Sequence, residues 1–504
     1  MSEAQSPLHR LSGLIASSCA GAHASVRIVD VEGRSVTTQA DAQGVYALDL
    51  PPLRAPLLIS ACLPAFSANV ADGDAACAPW ARSLAALVPA LEAGASSLAH
   101  VNALTDWIVS GVAQGLGFRG PQGLVEQGSS AGVTLAAIAQ ARENLQPLIR
   151  PALLELGLGD ADFDPVSVPM RVQCGPVAAA LDLLVLNRGF HNDTGLPGAT
   201  LLFDADYRFI GRVDAHSAPE PLDLQHARRA RARQRDPATT RLFIVGDSTA
   251  ANYERARFPR TGWGQVLGEV FRPEVQVVNA AKAGRSSRSF FRQAYLAQLA
   301  PLMRPGDYLF INFGHNDQSA DAARPVRGAA DLAHLATYPD DAVGHPQYPA
   351  GRPELAFRHS LERYIAAARA LGVIPVLLTM TARIRPTFPL GPTHRTVQGA
   401  QTDYAFVGDY AQTVRNTAQA NAVPLIDLEA LTIQLANTNL DGWQDYWLAV
   451  DPAEHPWYAT QSTGTLSKPD LSHFQFKGAQ WLARSIADEV RRWPELAPLA
   501  GLLV

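Results

Sequence analysis

The chain has 504 residues, 47% of them hydrophobic and 18% charged, with a formal net charge of −5. That length calls for roughly two to four domains, and the balance of residue types excludes wholesale disorder. The mild negative charge gives no reason to expect a nucleic-acid partner, and no apolar run reaches the length of a membrane span.

The first residues, Met1-Ser2-Glu3-Ala4-Gln5, lack the basic region and apolar core of a signal peptide. Residues 8–90 read as a small β-sandwich-like module. Strands are predicted at Ala24–Val29, Arg34–Thr38, Val45–Leu50 and Pro56–Cys62, with turn signals at Val31-Glu32-Gly33 and Asp41-Ala42-Gln43-Gly44. The pattern of Asp41, Gly44 and Tyr46 resembles the carboxypeptidase regulatory-like β-sandwich. Residues 91–216 read as mainly helical, with periodic segments at Leu98–Val112, Ala131–Leu156 and Pro176–Asn187. A hairpin is predicted over Leu201–Gly211; its Asp204 and Asp206 suit a turn better than calcium, which needs a longer acidic loop. Residues 217–240, with Pro219, Pro221 and Pro237 around five arginines between Arg228 and Arg235, read as a solvated linker helix. The alternative is a site for an anionic polymer. Cys19, Cys62, Cys77 and Cys174 all precede residue 217. Their spacing is wrong for zinc, and buried thiols and disulfides stay equal alternatives.

Residues 241–504 form the last expected domain. Apolar strands are predicted at Leu242–Val245, Val275–Asn279, Asp307–Phe313, Val373–Thr379 and Val423–Leu428. Helices Phe357–Leu371, Asp409–Asn421 and Phe476–Trp493 are interspersed with and follow them. This alternation predicts an α/β fold with a parallel sheet covered on both faces, and ligands bind such sheets at the carboxyl ends of the strands.

Ser248 follows the first of these strands in Val245-Gly246-Asp247-Ser248-Thr249. A serine hydroxyl needs an adjacent base to act as a nucleophile. His473 can take and return the proton, and Asp470, three residues earlier, can hold the other ring nitrogen. The backbone N–H groups of Ser248 and Gly284 and the side-chain amide of Asn316 can form an oxyanion hole. Asp247, His315 and Asp317 read as structural, hydrogen-bonding the loops that aim Ser248 and Asn316. No metal and no cofactor is called for.

Gly246-Asp247-Ser248, Gly284, Gly314-His315-Asn316-Asp317 and Asp470-Leu471-Ser472-His473 together resemble the four blocks of the SGNH (GDSL-type) hydrolases. Gly262-Trp263-Gly264-Gln265, the run Asn279–Phe290 and Pro305-Gly306-Asp307-Tyr308 are similar to the rhamnogalacturonan acetylesterase branch. The likeness covers residues 240–495. It implies a three-layer α/β/α flavodoxin-like domain, Ser248, His473 and Asp470 as the catalytic set, and an acetylated polysaccharide or oligosaccharide as substrate. The stretches 318–356 and 437–468 are longer than a compact member needs.

Trp443, Tyr446, Trp447, Trp457 and Tyr458 either line a glycan cleft or pin their own loop. Arg285 and Arg383, near strand ends, either bind a uronate carboxylate or form internal ion pairs. The expected function is a serine esterase that deacetylates a plant cell-wall polysaccharide, most readily pectic rhamnogalacturonan. The alternatives are a general lipase or thioesterase on small esters, and a surface carbohydrate-binding protein with secondary esterase activity. An exported location, its signal absent from this chain, is expected; a cytoplasmic one stays open.

Overall fold

The computed structural model describes residues 9–16, 21–64, 83–91, 95–118, 120–155, 164–168, 184–190, 197–204, 207–212, 223–293, 295–318, 337–385, 387–396 and 406–504. The chain divides into two compact units, one within residues 1–231 and one carrying Ala232–Val504.

The first unit begins with strands β1 (His9–Ala16), β2 (Ser25–Val29), β3 (Ser35–Gln39), β4 (Val45–Leu50), β5 (Leu57–Cys62), β6 (Ser83–Val88), β7 (Ser96–Leu98) and β8 (Val101–Asn102). β4, β1 and β7 form one sheet, with β8 also on β1; β3, β2, β5 and β6 form a second. Side-chain alternation along the second sheet sends residues to opposite faces. Ile28, Ile59 and Ala86 join Leu11, Ile15 and Tyr46 of the first sheet in one core. Val29, Leu58, Ala85 and Leu87 join Leu104, Trp107 and Ile108 of helix Ala103–Gly115 in another. That double burial explains the unbroken apolar run Leu84–Val88. The boundary expected at residue 90 therefore runs through a packed core, because the helices cover the outer face of the second sheet. Asn102 caps the helix: its side chain accepts from Leu104 N and Thr105 N.

Further on, the predicted helix Pro176–Asn187 is corrected. Its end lies in a strand, β9 (Leu184–Phe190), paired antiparallel with β10 (Pro197–Asp204); the rest of that segment falls outside the described residues. β10 continues into β11 (Phe209–Arg212) as the predicted hairpin. Asp204 accepts from Arg208 N and Arg208 Nε, so it closes a turn; Asp206 lies outside the described residues. Cys62 ends β5 with its Sγ 3.8 Å from the Leu63 carbonyl, and Cys19, Cys77 and Cys174 lie outside the described residues. The arginine run forms helix Leu224–Arg235, with Ala230 and Arg231 buried.

The second unit is built on β12 (Thr240–Gly246), β13 (Val275–Asn279), β14 (Tyr308–Asn312) and β15 (Ile374–Leu378), followed by the two-residue pair β16 (Arg395–Thr396) and β17 (Gly408–Asp409) and by β18 (Leu425–Ile426). The main sheet runs β13-β12-β14-β15-β18, and every neighbouring pair is parallel. Every residue of β14 is buried, and all but Thr240 in β12. On one face, Leu242, Ile244, Phe310 and Val376 pack with Trp263, Leu482 and Ile486. At the amino ends of the strands, Arg241 and Asp307 form a buried bidentate pair, and Arg241 Nη1 also donates to Leu302 O. At the opposite ends the register aligns Gly246 with Asn312 and Ile244 with Asn279. A Cβ on Gly246 would stand 2.7 Å from Asn312 O, so only glycine lets these two strand ends meet.

Candidate active site

Three loops leave the carboxyl ends of β12, β13 and β14, carrying Ser248, Gly284 and Asn316 respectively. The loop after β12 is a tight turn. Asp247 Oδ1 accepts from both the N–H and the hydroxyl of Thr249, 2.9 Å each, which fixes the backbone on either side of Ser248. Tyr253 OH donates to Ser248 O at 2.5 Å. Arg260 holds that tyrosine, with Nη2 at 3.0 Å from its hydroxyl and the guanidinium 4.4 Å from its ring centre. Ser248 itself is 3% exposed.

The base arrives from the other end of the sequence. His473 Nε2 lies 2.8 Å from Ser248 Oγ, and His473 Nδ1 lies 2.7 Å from Asp470 Oδ2. Asp470 Oδ1 accepts from Ser472 N at 3.0 Å and His473 N at 3.2 Å, so the carboxylate orders the turn that delivers the imidazole. Burial alone would raise the Asp470 carboxyl. The imidazole, its hydrogen bonds and Arg260 outweigh burial and hold the group well below the usual carboxylate range. The segment is strapped down by its backbone: Leu448 N donates to His473 O and Asp470 N to Leu448 O, both at 2.8 Å.

The remaining loops surround this dyad. Gly284 has φ +76°, the left-handed region that favours glycine. Gly314 has φ +140°, and a Cβ there would stand 1.7 Å from Met380 Cε. Asn316 is buried and its Nδ2 donates to Arg285 O at 3.0 Å. An amide carries two N–H donors, so this bond orients the group without exhausting it. His315 stacks edge-on against His394, with ring centres 4.9 Å apart, and its Nε2 is 3.3 Å from Thr381 Oγ1. Burial, aided by Arg383, pushes His394 down to about 3, so it is a neutral imidazole. Its Nε2 donates to Thr381 O and its Nδ1 accepts from Gln318 Nε2.

Two expectations about substrate contacts change. Arg285 is buried and points inward: Nε donates to Gln293 Oε1, Nη1 to Ala283 O and Nη2 to Tyr295 OH. Its guanidinium braces the Gly284 loop rather than facing a ligand. Arg383, partly exposed, donates through Nη2 to His315 O, again supporting the Asn316 loop. Among the aromatics, Trp447 and Tyr458 are core residues, whereas Trp457 is 38% exposed with the Arg257 guanidinium 5.3 Å from its ring centre. Sequence reasoning missed Tyr253 and Arg260, since no motif links a tyrosine five residues after a nucleophile to that nucleophile's carbonyl. Among the described residues, no group of three or more His, Cys, Asp or Glu side chains could hold a metal ion. No described helix is long and apolar enough to cross a membrane.

Residues 244–459 match the model of the GDSL-like lipase/acylhydrolase family. The chain is 28% identical over 250 residues to the rhamnogalacturonan acetylesterase RhgT of Bacillus subtilis, covering 49% of this chain and 88% of that protein. It is 29% identical over 250 residues to the probable rhamnogalacturonan acetylesterase YesY of the same organism, covering 50% and 92%. A rhamnogalacturonan acetylesterase of Emericella nidulans is 36% identical over 76 residues, covering 15% and 28%. The family match spans Ser248, Gly284 and Asn316 and stops before Asp470 and His473, which join the site through the distances above.

Proposed function

We propose that this chain, a carboxylic ester hydrolase carrying a GDSL-like lipase/acylhydrolase domain, removes acetyl groups from a plant cell-wall polysaccharide through a Ser-His-Asp acyl-enzyme. The observation that carries the mechanism is the unbroken hydrogen-bond chain Ser248–His473–Asp470, with steps of 2.8 and 2.7 Å. Ser248 Oγ attacks the acetyl carbonyl carbon while His473 Nε2 takes its proton. Asp470 keeps the proton on Nδ1, so Nε2 is an acceptor, and it stabilises the imidazolium that forms. The oxyanion is received by the N–H groups of Ser248 and Gly284 and by the Asn316 amide. Collapse releases the sugar hydroxyl, which takes the proton from His473. Water, deprotonated by the same imidazole, then cleaves the acyl-enzyme to acetate.

The likeness of half the chain to RhgT and YesY supports acetylated rhamnogalacturonan as the polymer. The exposed face of Trp457 offers a flat apolar surface of the kind that packs on a sugar ring. A polymeric substrate of this kind also supports an exported location and an accessory role for the first unit. Acetate release from acetylated pectic rhamnogalacturonan, xylan and mannan, set beside p-nitrophenyl esters of increasing chain length, tests the reading. Preference for the pectic polymer and for acetyl is expected. Turnover that rises with acyl length and ignores polymers would favour a lipase or thioesterase instead.

A further inference from the structure

The two oxyanion donors outside the nucleophile turn, Gly284 and Asn316, sit on separate loops after β13 and β14. Beyond their attachment to the sheet, these two loops are tied to each other by side chains. Asp317, wholly buried, accepts from Ser287 N at 3.0 Å, from Ser287 Oγ at 2.5 Å and from Thr337 Oγ1 at 2.9 Å. Ser287 is three residues after Gly284, and Asp317 directly follows Asn316. Asn316 makes a parallel contact, donating to Arg285 O. Adjacent residues of one loop thus grip adjacent stretches of the other.

Both ends of this grip are anchored. Tyr364 OH donates to Ser287 O at 2.7 Å, from helix Phe357–Ala370. Tyr410 OH, from helix Tyr410–Ala420, donates to Asp317 O at 3.3 Å and to Thr337 O at 2.7 Å. Ser286 caps helix Ser287–Arg292 through a reciprocal pair with Ser289, which fixes the backbone entering it. A carboxylate is an expensive group to enclose among hydroxyls and a backbone N–H. Burial accordingly pushes Asp317 up to about 7, with Asp247 adding to the rise against the bonds from Ser287 and Thr337. Hydrogen-bond donors act on a transition state only when held within about 0.5 Å of their working geometry, so a strut between the two loops has a direct catalytic consequence.

We infer that Asp317 is a positioning residue: its carboxylate, clamped to Ser287, sets the Asn316 amide against Gly284 and so fixes the width of the oxyanion pocket. This rests on the proposed acyl-enzyme reading. An asparagine in place of Asp317 can keep the clamp, its oxygen accepting from the Ser287 N–H and its NH2 donating to the hydroxyls of Ser287 and Thr337, whereas an alanine removes every partner. The loop then shifts, and the loss appears in the transition state rather than in substrate binding.

The test is a kinetic cycle on p-nitrophenyl acetate with full-length wild type, Asp317→Ala, Asn316→Ala and the double variant. Asp317→Ala should lower kcat by about 10–100-fold with KM within about threefold, and Asp317→Asn, which can re-form the bonds, should lose less. In the Asn316→Ala background Asp317→Ala should cost less than about threefold, because the group it positions is gone. Ser287→Ala, which removes only the hydroxyl bond, should show a weaker loss with the same dependence on Asn316; it keeps the inference testable if Asp317→Ala does not fold. An undiminished kcat in folded Asp317→Ala, or a full-sized loss that persists without Asn316, would overturn the clamp while leaving the hydrolase reading intact. A wild-type chain without ester turnover would overturn both.

Discussion

Asp470→Asn is the most informative single substitution, because the structure dictates which way the new amide must face. Asp470 Oδ1 accepts from two backbone N–H groups, those of Ser472 and His473. An asparagine can satisfy them only by keeping its oxygen there, which turns its NH2 toward His473 Nδ1, where Asp470 Oδ2 stands at 2.7 Å. The imidazole must then accept on Nδ1 and carry its proton on Nε2. That nitrogen, 2.8 Å from Ser248 Oγ, becomes a donor and can no longer take the serine proton. An enforced wrong tautomer costs about 10⁴ in kcat, or about 5.5 kcal/mol of transition-state stabilisation. Asp470→Ala imposes no tautomer, and the position is 14% exposed, so water can replace the lost acceptor. It should therefore retain at least as much activity as Asp470→Asn. Both variants should be assayed for kcat on p-nitrophenyl acetate, with folding checked by circular dichroism. A folded Asp470→Asn within about tenfold of wild type, or an Asp470→Ala clearly worse than Asp470→Asn, would refute the tautomer argument.

Ser248→Ala and His473→Ala should each be more severe than Asp470→Asn, since they remove the nucleophile or the proton carrier itself; single-turnover assays on an acetyl ester check this. Asn316→Ala should lower kcat by about 10²–10³ with a smaller change in KM, the usual loss for one oxyanion donor; a change confined to KM would make it a binding group. Asp307→Ala should destabilise the second unit by about 3–5 kcal/mol, since it leaves Arg241 buried without its partner far from the chemistry; urea unfolding measures it. Asp317 adds a pH signature: burial raises its folded value from 3.8 to about 7, so the folded chain keeps a proton that the unfolded chain releases. Its contribution to stability should fall as pH rises from about 4 to about 7, by at most about 4 kcal/mol. The difference between wild type and Asp317→Asn, followed by denaturant unfolding across that range, isolates the effect. Turnover should survive dialysis against a chelator, and loss restored by one divalent ion would contradict a site made of protein groups alone.

The sheet of the second unit was legible because its strands are apolar on both faces, and an apolar run bounded by turns carries its own boundary. Val275–Asn279 is the same in sequence and structure, and Leu242–Val245 and Asp307–Phe313 differ by two residues or fewer at each end. Ser248, His473 and Asp470 could be singled out because acyl-transfer chemistry restricts the residue types, and the fold brings the three within hydrogen-bond distance. What the segments did not reveal by themselves were features set by partners outside them. Pro176–Asn187 was read as helical, but its end belongs to the strand Leu184–Phe190, which pairs with Pro197–Asp204. The border near residue 90 was drawn where strand patterns give way to helical ones. The outer face of the sheet, with Leu58 and Leu87, needs the helix that follows. Arg285, near a strand end, was read either as a uronate ligand or as part of an internal ion pair, because arginine suits carboxylates. Gln293 and Tyr295 turn it inward, and nothing in its own neighbourhood announces that.

The site also divides by how its parts are held. The proposed nucleophile and oxyanion donors ride on loops that leave strands of the sheet, and the Gly284 loop is bonded directly to it: Ala280 N donates to Ile244 O and Lys282 N to Gly246 O, each at 2.9 Å. The base does not. His473 and Asp470 sit on a segment held by backbone bonds to Leu448, by Thr261 N donating to Phe474 O, and by Phe474 packing on Trp447 at 5.1 Å between ring centres. This segment lies between the last strand and the last helix, after the aromatic stretch that begins at Trp443. Trp447, buried and packed on Phe474, supports the histidine loop from below. Loosening it should misplace the imidazole while leaving Ser248, Gly284 and Asn316 in register with one another. The length of residues 437–468 then has a physical reason apart from any role in binding: it is the scaffold that brings a base, remote in sequence, to within 2.8 Å of a serine at the end of a strand.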